Sequence, residues 1–209
     1  LRTNIEILPR VAELPDDDQQ SIFQDMLSEV QELSTLVGNL TELVRGEQDP
    51  DPATDFSLHE VVMHAIRSVT PYGHTREIEI RAIVTTCSVF GHPDKIGTAV
   101  TNLLSNAIKW GPSGSMVEVT CFDGIVSVRD EGPGISSEDL PFIFDRFYRS
   151  SAARSLPGSG LGLAIVAQAV AGDGGTVTVA NRPDGGSEFV IALPLSVAES
   201  STSKVLSVP

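Results

Sequence analysis

The chain has 209 residues, 41% of them hydrophobic and 20% charged, enough for one packed domain of ordinary size with a smaller element beside it. Its 14 basic and 28 acidic residues leave a formal charge of −14. That balance excludes a general nucleic-acid binder, because phosphate backbones demand a cationic surface, yet it tolerates a nucleotide whose few phosphates are held by backbone N–H groups and a magnesium ion. Cys87 and Cys121 stand in predicted strands without CxxC or Cys/His spacing, so reduced core thiols are expected rather than a disulfide framework or a zinc site. No apolar run reaches the roughly 18 residues of a membrane-spanning helix, and no signal-peptide pattern is present. The 209 residues are expected to be soluble.

Residues 1–48 read as two helices. Leu1, Ile5, Leu8 and Val11 are at helical spacing in the first, with Pro9 interrupting it or marking a kink. Pro15 to Asp18 form a turn whose carboxylates suit the next helix N-terminus. The second helix, from about Gln19 to Arg45, lines up Ile22, Met26, Val30, Leu33, Val37, Leu40 and Val44, and Phe23, Leu27, Leu36 and Leu43 widen the stripe. A lone hairpin cannot cover so wide an apolar face; pairing with a second copy into a four-helix bundle covers it, as packing on the following domain would. Residues 49–56 are polar and Pro-rich, a linker. A domain of mixed helix and strand follows over 57–195, and 196–209 form a Ser-rich tail.

Within that domain Ser57 caps a helix from Leu58 to Val69, and Ile78–Ile83 and Thr85–Val89 read as strands. Pro93 opens a helix to Trp110. Met116–Phe122 and Ile125–Asp130 alternate in period two around Asp123-Gly124, a strong hairpin signal. Glu131 to Ser159 shows no periodicity, and a helix then spans Gly160–Ala171. Gly175–Ala180 and Glu188–Leu193 are strands joined by Pro183-Asp184-Gly185-Gly186.

Four short patterns carry chemistry. On the helix from Pro93, the apolar face is Ile96, Val100, Leu103, Leu104, Ala107 and Ile108, and Asn102, Asn106 and Lys109 share an adjacent stripe. Such a stripe is either a solvated polar face or a cation and phosphate site, since amide oxygens suit magnesium and the lysine suits a phosphate. Asp130 has the parity of Val126 and Val128, so its carboxylate points coreward, where it needs hydrogen bonds or a ligand donor such as an exocyclic amine. Gly132 and Gly134 after it make either an ordinary turn or room for a planar group. Gly158-Ser159-Gly160-Leu161-Gly162-Leu163 opens a helix and presents free N–H groups at its positive end, a natural phosphate site. No strand leads into it directly, unlike the dinucleotide fingerprint, and no P-loop lysine follows. Between these patterns Phe142, Phe144, Phe147 and Tyr148 alternate with Arg146, Arg149 and Arg154, the composition of a lid over a polyphosphate.

In this order, Asn102-x-x-x-Asn106-x-x-Lys109, Asp130-x-Gly132-x-Gly134, Phe144-x-x-Phe147 and Gly158-x-Gly160-x-Gly162 resemble the N, G1, F and G2 boxes of the sensor histidine kinases of two-component systems. The resemblance covers residues 57–194, and residues 1–48 resemble part of the family's dimerisation and phosphotransfer hairpin. It implies the Bergerat fold, an α/β two-layer sandwich of about five mixed strands backed by three helices. It also implies binding of ATP with Mg2+ and transfer of the γ-phosphoryl group to a histidine. By position Asn106 would hold the magnesium, with Asn102 and Lys109 near the phosphates. Asp130 would accept from the adenine amine in a pocket shaped by Gly132, Gly134 and Ile135, with Trp110 stacking near it or packing. Gly158, Ser159, Gly160, Leu161, Gly162 and Leu163 would hinge the lid and admit the phosphates, and Arg146 and Arg149 would contact them.

Relatives of this fold such as gyrase, Hsp90 and the mismatch-repair ATPases place a water-activating Glu where this chain has Asn102, and an amide is no general base. Transfer is therefore expected over hydrolysis. The anti-sigma serine kinases share the core but leave the leading hairpin unexplained. A hydrolytic ATPase and a non-catalytic dimerisation module are the alternatives. None of His59, His64, His74 and His92 lies in the family's His-Glu-x-x-Arg-Thr-Pro context, so the sequence is expected to begin downstream of the acceptor. The implied partners are a response regulator and a second copy of the chain, on the cytoplasmic side of a membrane-anchored receptor.

Overall fold

In the computed structural model, the described residues are 52–151, 153 and 158–196. The predicted hairpin of residues 1–48 and most of the tail lie outside them. The elements in order are β1 (Thr54–Ser57), α1 (Leu58–Thr75), β2 (Glu79–Val84), β3 (Ser88–Gly91), α2 (Pro93–Trp110), β4 (Met116–Phe122), β5 (Ile125–Arg129), α3 (Gly162–Gly172), β6 (Thr176–Asn181) and β7 (Ser187–Ala192).

Five strands form one mixed sheet in the order β2-β4-β5-β7-β6, with only the β2–β4 pair parallel. Alternate residues of β4 and β7 are buried, so one face of the sheet carries the core. The three helices pack on one another and on that sheet. Ile96, Leu103, Leu104 and Ile108 of α2 are fully buried with Val117, Val119 and Ile191 of the sheet. The apolar stripe read from the sequence of α2 is therefore its core face, and Asn102, Asn106, Lys109 and Trp110 are half-buried beside it. The expected two-layer α/β sandwich of five strands and three helices is what the structure has.

Several boundaries move, each for a local reason. β1 begins in the stretch read as linker, ends at the capping Ser57, and pairs antiparallel with β3 in a separate two-stranded sheet. Its four residues are too few to show a period. Ser57 caps α1 as expected, accepting from Glu60 N–H at 3.4 Å, but the helix runs through Pro71 to Thr75. The strand expected at Thr85–Val89 starts later, because Thr85 donates both its N–H and its hydroxyl to the Cys121 carbonyl and so extends the β2–β4 edge. The β4–β5 turn is as predicted: Asp123 and Gly124 both have positive φ, 48° and 76°, the two-residue turn that matches strand twist. Helix α3 begins at Gly162 instead of Gly160, since Gly160 has φ 73° and a right-handed helix excludes that conformation.

Both cysteines are buried free thiols, as expected. Burial pushes the Cys121 thiol up to about 12, and the neighbouring Cys87 thiol adds to the rise. No helix among the described residues is long and apolar enough to cross a membrane.

Candidate functional site

Asp130 follows β5 and keeps the inward parity of Val126 and Val128, and all three are buried. A buried carboxylate is costly unless its oxygens are satisfied. Here Oδ1 accepts from Gly132 N–H at 2.8 Å and from Ser187 N–H at 3.2 Å, and Oδ2 accepts from the Ser187 hydroxyl at 2.6 Å. Arg182 donates to the Asp130 carbonyl at 2.8 Å. These donors orient the carboxylate and leave acceptor capacity on Oδ2 for one further donor.

The glycines after Asp130 are there for proximity. A Cβ on Gly132 would stand 2.9 Å from Asp130 Oδ1 and 3.0 Å from the Trp110 carbonyl oxygen, so the loop passes directly over the end of α2. Trp110 is thus brought to the Asp130 loop, and the Lys109 ammonium lies 5.5 Å from the centre of its ring. Gly134 and Ile135 pass beside Asn181, and the Ile135 side chain packs against the main core.

The glycine-rich segment converges on α2 from the other side. A Cβ on Gly162 would lie 2.9 Å from Asn102 Oδ1, and one on Gly158 would lie 2.9 Å from Lys109 Nζ. The asparagine–lysine stripe and the glycine-rich helix entry, 40 or more residues apart in the sequence, are therefore neighbours. Asn102 donates to the Thr98 carbonyl at 2.9 Å, which fixes its amide on the stripe it shares with Asn106. At the entry to α3, Ser159 Oγ accepts from Leu161 N–H at 3.3 Å, Leu161 is buried, and Leu163 packs on the main core. Gly160 is the hinge-like position: its φ is 73°, and a Cβ there would meet the Tyr148 carbonyl oxygen at 2.7 Å.

The aromatic segment is anchored at points. Phe144 meets Phe189 edge to face with centroids 6.5 Å apart, and Phe147 N–H donates to the Gly160 carbonyl at 3.0 Å. Phe142 and Phe147 are exposed, as is Arg146, whose guanidinium donates to Gln168 of α3 at 3.4 Å. Arg149 donates to the Ala153 carbonyl. Tyr148 donates to Asp139 at 2.7 Å, and that bond, helped by Ser136, holds the Asp139 carboxyl below its usual range. Arg154 lies outside the described residues, as do residues 152 and 155–157.

Of the histidines, His59, His64 and His74 belong to α1, and His92 is the N-cap residue of α2. Its ring lies 2.5 Å from the buried Asp173 carboxylate at the end of α3. Ser187, Arg182 and Asn181 are site residues the sequence reading missed. Gly186 was the available signal: a Cβ there would meet the Asp130 carbonyl oxygen at 2.0 Å, so the turn must be glycine for β7 to approach the loop.

Among the described residues no group of three His, Cys, Asp or Glu side chains is placed to hold a metal. The Asn102 amide oxygen is a hard donor facing the glycine-rich entry, and Asn106 lies on the same helix stripe. That set fits a magnesium carried largely by substrate phosphates and completed by one or two protein oxygens, and does not fit an all-protein metal cage.

Residues 91–197 match the family described as histidine kinase-, DNA gyrase B- and HSP90-like ATPases. The signal transduction histidine-protein kinase/phosphatase MprB of Mycolicibacterium vanbaalenii is 38% identical over 196 residues, and its Mycobacterium leprae counterpart is 38% identical over 208. The alignments cover 89% and 93% of this chain, which spans only 40% of the length of either relative. The solved mycobacterial sensor histidine kinase MprB superposes with a TM-score of 0.61 at 34% identity, over 68% of this chain and 97% of that one. The Acinetobacter baumannii histidine kinase AdeS superposes at 0.66 with 25% identity, over 93% and 96%.

Proposed function

The chain belongs to the sensor histidine kinases, as their ATP-binding catalytic domain, and from that premise we propose that it holds Mg-ATP across α2 and transfers the γ-phosphoryl group to a histidine of a dimeric helical hairpin. The observation that carries this reading is the convergence of Asn102, Lys109, Gly158 and Gly162 beside a buried, preorganised Asp130. Asp130 accepts from the adenine amine through the capacity its three donors leave open. Trp110 borders the same pocket. The N–H groups at the start of α3 and the Lys109 ammonium take the phosphates.

Asn106 offers its amide oxygen for magnesium, with Asn102 near the phosphates, and the ion when bound would neutralise developing charge on the transferring group. The contribution of the chain is positioning and electrostatic stabilisation, which suffices for phosphoryl transfer. Asn102 also withholds a base: an amide cannot activate water, so the site favours transfer to an acceptor over hydrolysis. Arg146 and Arg149 reach the phosphates when the aromatic segment closes. The product phosphohistidine passes its group to a response regulator. The hairpin of residues 1–48 pairs two copies, and the receptor is anchored in a membrane with this domain on its cytoplasmic side.

A titration of the chain with ATP, with and without magnesium, tests the reading. Saturable binding that strengthens with magnesium is expected; absence of binding by the folded chain would overturn it.

A further inference from the structure

One hairpin holds the Asp130–Ile135 loop at both ends. Strands β6 and β7 are antiparallel, and their register sets Asn181 opposite Ser187. Ser187 fixes Asp130 at the start of the loop. Asn181 fixes its end: Oδ1 accepts from Ile135 N–H at 2.8 Å, and Nδ2 donates to the Ile135 carbonyl at 2.7 Å. An amide side chain presents a donor and an acceptor side by side, so it engages both polar groups of one residue as a neighbouring strand would. Asn181 is exposed and has water as an alternative partner, yet both halves of its amide are committed to Ile135. Gly134 is fitted to the same amide. Its φ is 74°, and a Cβ there would lie 3.0 Å from Asn181 Oδ1.

We infer that Asn181 is a positioning residue for nucleobase recognition. It sets where Gly134 and Ile135 stand relative to the Asp130 carboxylate, and through them how well the pocket accepts adenine. Asn181 touches no nucleotide itself. The inference rests on the reading of Asp130 as the adenine acceptor.

Displacement of a fluorescent ATP analogue from the 209-residue chain, with ATP and with inorganic tripolyphosphate as competitors, tests it. Asn181→Ala removes both bonds, and Asn181→Asp keeps an acceptor for Ile135 N–H while facing the Ile135 carbonyl with a second acceptor. Both variants are expected to bind ATP about fivefold more weakly, the loss corresponding to about one net hydrogen bond. Tripolyphosphate affinity should stay put, so discrimination between the two ligands falls. A role limited to stability would weaken both ligands alike or neither, and that result in whichever variant remains folded by thermal melting overturns the inference. Asp130→Asn separates the two levels. If it weakens ATP while the Asn181 variants keep the wild-type ratio, the positioning role alone fails. If it leaves ATP binding unchanged, the adenine assignment fails and the positioning role with it.

Discussion

The loop after β5 and the aromatic segment that follows it are held in different ways. From Asp130 to Ile135 the chain is tied to the sheet by Ser187, Arg182 and Asn181, residues 46 to 57 positions away in the sequence. From Ser136 to Tyr148 the backbone bonds are mostly local, linking residues three or four apart, as in Phe142 to Asp139 and Asp145 to Phe142. Among its long-range ties are Phe144 on Phe189, Phe147 to Gly160, Arg146 to Gln168 and the packing of Ile143 on the core. Long-range bonds to a sheet fix a loop as firmly as the sheet itself, whereas local turns can move as a unit. On the proposed reading, the base side of the site is built in advance, and the phosphate side is expected to be completed by a strap that shifts against it.

Substitution at Asp130 should give the largest effect. Asp130→Asn turns a donor toward a shell of donors and toward the adenine amine, so ATP affinity should fall about tenfold to a hundredfold, the scale of a hydrogen bond to a charged group. Calorimetric titration of the folded variant checks it, and an unchanged affinity would break the contrast at its fixed end. Asn106→Ala should cost about tenfold, and only when magnesium is present. A variant that keeps the full magnesium dependence would move the metal to another oxygen of the stripe.

On the strap side, Gly160→Ala would press a Cβ toward the Tyr148 carbonyl at a left-handed backbone position. A strain of about 1–3 kcal/mol is expected at such a site. It should appear as a several-fold loss of ATP affinity and faster proteolysis between Phe147 and Gly160, with the melting midpoint of the sheet little changed. A midpoint that drops as far as that of a core substitution would make the strap part of the same cooperative unit as the base loop.

The smallest effect belongs to Tyr148→Phe. Losing the phenol releases the Asp139 carboxyl back toward its ordinary range, observable by NMR titration. In the wild type the stabilisation from this lowered group is complete at neutral pH and is lost as pH falls below the ordinary carboxylate range through the lowered value. Asp139 is half-buried at the surface and makes no hydrogen bond with the Asp130 loop, so ATP affinity at neutral pH should change by less than about twofold. A larger change would show that the local turns around Asp139 govern nucleotide binding.

The sequence disclosed what periodicity and glycine spacing encode. The α2 stripe was legible because Leu103, Leu104, Ala107 and Ile108 fix which face is buried, and Asn102, Asn106 and Lys109 then have one place left to be. The inward carboxylate was legible from the parity of Val126, Val128 and Asp130. Ser187, Arg182 and Asn181 were not, because their significance is a cross-strand register and a turn approach that no local pattern states. Strand β1 was hidden in a stretch whose prolines announce a linker, although its pairing with β3 comes from residues more than 30 positions away.

Transfer to histidine can be followed with radiolabelled ATP. The chain carries no histidine in an acceptor context, so it is expected to bind ATP without labelling itself. When a dimerisation hairpin of a family relative that carries the acceptor histidine is added, that hairpin should gain acid-labile label. Stable label on His59, His64, His74 or His92 of the chain, or an unlabelled hairpin while bound ATP is steadily hydrolysed, would contradict the account.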